Sequence, residues 1–134
     1  MDYRSYDRSY VISVKQKPDI LGSSDSAFMG DQHKHNPEDL LVSSISSCHM
    51  LWYLHLCADA GIPVLSYTDK AAATMVQTQT GGAFREAVLR PEIRIAAGGD
   101  VEKAVALHDE AHRHCFIANS VNFPVRHEPR VSAG

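Results

Sequence analysis

The spacing of hydrophobic and polar positions changes along this chain, and each change marks an element. Between Tyr3 and Lys17 the apolar residues alternate in part: Tyr10, Ile12 and Val14 face one way, while Ser9, Val11, Ser13 and Lys15 face the other. That period of two predicts a strand, the second arm of an N-terminal hairpin, ended by Pro18. Ile20–Asp31 contains Gly22, Ser23, Ser24 and Gly30 and reads as a loop with at most one short strand around Ala27–Met29. Gln32–His35 is a polar lead-in to a helix.

From Asn36 to Gly61 the pattern turns helical. Asn36 is a good N-cap, Pro37 suits the first helical position, and Glu38 and Asp39 set negative charge against the positive end of the helix dipole. Gly61 followed by Pro63 is a stop signal. Leu40, Leu41, Val42, Ile45, Met50, Leu51, Trp52, Leu54 and Leu56 point round most of the circumference, so the helix is expected to be buried on nearly all sides. It makes a poor membrane span, because His49, His55 and four serines interrupt the apolar run. Ser43, Ser44, Ser46 and Ser47 are small enough to admit a second helix closely.

Beyond Pro63, Val64–Gln77 is rich in β-formers and predicts one strand; Gly81-Gly82 predicts a hairpin turn, and Phe84–Ile95 the returning strand. Pro91 inside that strand suggests an edge or a bulge. Asp100 is the expected N-cap of a second helix over Val101–Asn119, with a short strand at Phe123–His127 and a loose tail from Glu128. The sum is an α+β architecture with an antiparallel sheet, in a single domain over residues 1–134. One sheet and one further helix scarcely cover a helix apolar all round. A second copy of the chain is the economical cover, the serine-lined face being the contact.

Composition narrows the function. An apolar share of 44% and a charged share of 22% are those of a soluble globular protein. A net charge of -3 argues against a nucleic-acid partner. No charged n-region followed by an apolar stretch opens the chain, so no secretory signal is expected. Three cysteines without scaffold spacing suit the reducing cytoplasm. The compositional oddity is eight histidines, several of them near cysteines.

Those cysteines define the candidate chemistry. Cys57 cannot pair with Cys48 within one helix, since nine residues separate them by roughly 13 Å along the axis, against a Cα limit of about 7 Å for a disulfide. Any redox pair is therefore Cys48 with Cys115 or Cys57 with Cys115, and three unrelated core cysteines are the plain alternative. His108, His112 and Cys115, spaced i, i+4, i+7, fall on one helix face. An imidazole near Cys48 would favour its thiolate.

NPEDLLVSSISSC, with Glu38 ten residues before Cys48, resembles the NPE-L-L…C helix of the OsmC family of osmotically inducible and organic hydroperoxide resistance proteins. AHRHCFIANSVNFPV resembles that family's second motif, its cysteine near the end of the last long helix. The similarity runs from about Tyr3 to Val125. It implies an OsmC-like fold, with antiparallel sheets around a long buried central helix, in an intertwined homodimer. It also implies a two-cysteine thiol peroxidase without a cofactor. Cys48 would attack an organic hydroperoxide and become a sulfenate, Cys115 would close a disulfide on it, and an external dithiol would reduce that disulfide. An apolar surround of Met50, Leu51 and Trp52 suits an organic peroxide.

The family stabilises the thiolate with an arginine and a glutamate, and Glu38 matches the glutamate. The arginine expected before the NPE motif falls at Met29, and the N-terminal strands offer Arg4 and Arg8 instead. His108, His112 and Arg8 are therefore the possible supporting residues. Two other readings stand beside this one. Cys48, Cys115, His108 and His112 form a soft N/S set of the kind zinc prefers. A non-catalytic relative would use the same apolar surround to bind a small molecule.

Overall fold

The computed structural model describes residues 2–134, which fall into two compact units, one ending at Leu41 and the other spanning Val42–Gly134. In the first unit β1 (Tyr10–Ile12) pairs antiparallel with β2 (Ile20–Gly22). The strand over Tyr3–Lys17 is thus shorter than expected and forms the first arm of a hairpin, not the second. The second arm is β2, which the glycine and serines around it disguised as loop. Ser26–Phe28 is a 3-10 turn rather than a strand, capped by the Asp25 carboxylate on Ala27 N at 2.8 Å.

Helix α1 runs Pro37–Asp59. Asn36 Oδ1 accepts from Asp39 N at 2.7 Å, the N-cap bond that its side chain predicts. At the other end Ile62 N donates to Cys57 O at 2.8 Å and Gly61 N to Ala58 O at 3.1 Å, the paired bonds of a Schellman stop. Gly61 takes φ +70° there, a conformation that glycine adopts without a Cβ penalty. Burial departs from expectation. Within one chain α1 buries a single stripe, Ile45, His49, Tyr53 and Cys57, each four residues after the last, while Leu51 is 63% exposed. α1 is also long and apolar enough to cross a membrane by length and composition, but its buried stripe is packed into protein.

The second unit holds two three-stranded sheets. Where one strand was expected over Val64–Gln77 there are two, β3 (Val64–Asp69) and β4 (Ala72–Thr78). The expected returning strand is likewise β5 (Gly81–Leu89) and β6 (Pro91–Ile95). β3 pairs with β6, and β4 with β5, in separate sheets. The shared corner is held by Asp69, whose Oδ1 accepts from Arg90 N at 2.7 Å and Oδ2 from Ser46 Oγ at 2.6 Å. Pro91, lacking an N–H, begins a strand here rather than bulging one. The tight turn is Gln79–Thr80, with Thr78 opposite Gly81, so the Gly-Gly pair follows the turn.

Helix α2 (Val101–His114) starts on the Asp100 cap, whose carboxylate accepts from Lys103 N at 3.0 Å. It stops five residues before the expected Asn119, making Cys115 its C-cap. β7 (Val125–His127) then adds in parallel to β5. The tail is no loose end: β8 (Arg130–Ala133) adds in parallel to β6. The sheets are therefore mixed, not purely antiparallel. Tyr53 and Cys57 of α1, Ala104, Leu107 and Ala111 of α2, and Ile93 and Ile95 of β6 form the core. The small alanines let the helices approach until Tyr53 OH donates to Ala104 O at 2.9 Å.

Candidate functional site

α1 and α2 bring Cys48 and Cys115 together. Cys48 is partly open to solvent and Cys115 is 1% exposed; both thiols are free, and Cys48 lies near enough to Cys115 to act on its ionisation. Burial pushes the Cys115 thiol up to about 11; Ala118 N–H, 3.4 Å from its sulfur, acts the other way, and the neighbouring Cys48 adds to the rise. Cys115 is therefore held as a thiol at neutral pH, while Cys48 has the access. Cys57 lies elsewhere, in the core beside Tyr53, and burial raises its thiol too. Of the two pairings open to the sequence, the structure assembles Cys48 with Cys115.

The apolar surround is partly present. Trp52, one turn after Cys48, stacks on His114 with ring centroids 4.8 Å apart and meets Phe116 edge-on at 5.8 Å. Both neighbours of Cys115 thus lie against one indole. Phe116 is 69% exposed and Leu51 63%, so this face is open. A hollow of about 380 Å³ lined by Leu54, Ala58, Ile62 and Val64 lies toward the end of α1.

Glu38 stands in the first turn of α1, the position that the helix dipole favours. Arg8 is engaged locally: its guanidinium donates to Tyr6 O at 2.7 Å and to Tyr3 O, and lies 3.8 Å from the Tyr6 ring centroid. Met29 caps the 3-10 turn with φ 64°.

His108 and His112 belong to a different cluster. His49 Nε2 and His108 Nδ1 are 3.0 Å apart, both rings fully buried, and His108 stacks on Tyr53 with centroids 3.8 Å apart. His127 of β7 sits 5.7 Å from the His49 ring and 5.4 Å from His112, and donates to Asp109 Oδ1 at 2.7 Å. Burial drives His49 down to about 4 and His108 to about 3, with the neighbouring imidazoles adding to both shifts. Burial lowers His112 as well. Among the described residues His49 Nδ1 and His108 Nε2 have no hydrogen-bond partner, and a buried polar atom left unpaired costs about 1–3 kcal/mol.

Among the described residues no three His, Cys, Asp or Glu side chains are placed to hold a metal ion, so the zinc set of Cys48, Cys115, His108 and His112 is not assembled. Sequence reasoning missed His127 and the buried role of His49. The available signal was the four-residue spacing of Ile45, His49, Tyr53 and Cys57.

Comparison with known proteins adds to this geometry. The OsmC-like protein family profile matches residues 30–130. A solved OsmC-like protein of unknown function from Vibrio cholerae O1 biovar eltor is 30% identical, with a TM-score of 0.86 over 92% of this chain and 85% of that one. Organic hydroperoxide resistance proteins from Elizabethkingia anophelis (19% identical, TM-score 0.69, all of both chains) and Legionella pneumophila (17%, 0.64, 96% of this chain and 98% of that one) share the fold. No curated protein matches the chain.

Proposed function

From the premise that the chain belongs to the OsmC-like protein family, we propose that it is a thiol-dependent peroxidase reducing organic hydroperoxides. The observation that carries this is the nearness of a partly open Cys48 to a sealed, protonated Cys115. The Cys48 thiolate attacks the distal oxygen of ROOH; the O–O bond breaks, the alkoxide takes a proton and leaves as ROH, and Cys48 becomes a sulfenic acid. The Cys115 sulfur then attacks the sulfenic sulfur. Water leaves with the hydroxyl and the Cys115 proton, and a disulfide remains. An external dithiol exchanges with that disulfide and restores both thiols. High thiol pKa suits Cys115 to wait, since a protonated sulfur does not compete for peroxide.

The second part of the reading is an obligate homodimer. Its support is α1, which exposes Leu51 and leaves Val42, Met50 and Leu54 only half-buried in one chain. A second copy laid along that helix covers it.

Stoichiometric organic hydroperoxide should yield one Cys48–Cys115 disulfide by peptide mass spectrometry; an unmodified pair, or Cys57 in the bridge, overturns the mechanism. Light scattering at micromolar concentration should give two chains, and a well-behaved 14.8 kDa monomer ends the dimer reading.

A further inference from the structure

Neither sulfur chemistry nor the hydrophobic core accounts for the histidine cluster. A neutral imidazole carries one N–H. The His49–His108 contact uses one N–H and one lone pair, so whichever ring donates, one N–H and one lone pair stay unmet at His49 Nδ1 and His108 Nε2. Leucine and phenylalanine would pack such a place without that penalty. The groups facing the pair are His127 from β7, Asp109 and His112 from α2, and Tyr53 from α1, with Arg113 acting on His112. Asp109, the one carboxylate among them, is exposed and occupied by His127.

We propose that His49, His108 and His127 form an acid-labile latch joining α1, α2 and β7, whose release parts Cys48 from Cys115. An imidazolium at His49 or His108 would sit fully buried, with no free carboxylate facing it and further imidazoles about 5–6.5 Å away. Hydrating it requires the helices to separate, and those two helices carry the two thiols. The thiol consequence rests on the disulfide-forming reading proposed for the enzyme; the latch itself does not.

The sign follows from burial. Both rings have lower pKa values closed (about 4 and about 3) than the ordinary 6.5 they regain when open, so the open form binds more protons. The closed form is fully favoured above pH 6.5 and loses ground as pH falls toward 4. Each ring shifts the closed-to-open ratio about tenfold per pH unit in that window.

The test uses the full chain without peroxide. Amide hydrogen exchange, corrected for intrinsic rates, should show α2 losing at least about tenfold protection between pH 7 and pH 5. Cys115 should become reactive to 4,4′-dithiodipyridine over the same range. In His49→Leu/His108→Phe, which keeps an aromatic ring on Tyr53, both changes should vanish. Equal acid sensitivity in parent and variant overturns the latch. If the variant does not fold, histidine NMR on the parent decides: buried rings that stay neutral to pH 5 while α2 exchange accelerates support it. Rings titrating near 6.5 with α2 protection unchanged refute it. Loss of peroxidase activity in Cys48→Ser bears only on the enzymatic reading.

Discussion

Two contacts between α1 and α2 invite comparison, because they start from adjacent residues and end two turns apart. Cys48 neighbours Cys115; His49 meets His108. In the first, one partner reaches solvent and the other is sealed, so a small oxidant can enter and meet a waiting thiol. In the second, both partners are sealed and two nitrogens go unpaired. Reactive groups one residue apart on a helix thus acquire opposite roles because i and i+1 point about 100° apart. What separates the two pairs is access more than residue type: one opens to solvent and the other does not.

The sharpest way to break the comparison is at the nucleophile. Cys48→Ser should lower hydroperoxide consumption at least about a hundredfold, since the attacking group is gone, while urea denaturation barely moves. Cys115→Ser should keep the first turnover and accumulate a sulfenic acid that dimedone traps. If Cys48→Ser consumes peroxide as fast as the parent, the thiol pair is not the site. On the other contact, His108→Ala removes the stack on Tyr53 and leaves His49 without its partner. It should cost about 2–4 kcal/mol in urea unfolding; a loss below about 1 kcal/mol would show the cluster is loosely held.

The smallest expected effect concerns the cation absent at Met29. Family resemblance implies an arginine there, and a cation within about 4–6 Å favours a thiolate. Met29→Arg should speed sulfenate formation by up to about tenfold in stopped-flow at neutral pH. Backbone strain is no obstacle to the comparison, because φ 64° burdens either side chain alike. An unchanged rate would mean that Cys48 works without an arginine from this loop.

Local signals with a mechanism were readable in the sequence. Asn36, Pro37 and Gly61 bounded α1, Asp100 opened α2, and Cys48 and Cys115 stood out through their motifs. The corner at Lys70 and Arg90 was not readable, because no glycine marks it and the hydrogen bonds that make it come from Asp69. β8 escaped for a related reason: a short exposed segment becomes a strand only when β6 offers its edge. On α1 the apolar residues drew attention, yet three of the four residues buried within one chain are His49, Tyr53 and Cys57. Their burial depends on what α2 and β7 bring, including His127, which no local pattern announces.

The parallel additions of β7 and β8 have a consequence for biosynthesis. Each closes a pairing across 38 positions, Ala87 with Val125 and Glu92 with Arg130. Such non-local pairings are slow to form, and neither can form until its later strand, β7 or β8, has left the ribosome. α1 emerges well before its cover, so the nascent chain carries an apolar helix with an unpartnered thiol until α2 and β7 follow. A chain stopped before Arg130 would leave the β6 edge open to other strands. β8 therefore acts as the clasp that ends this vulnerable interval.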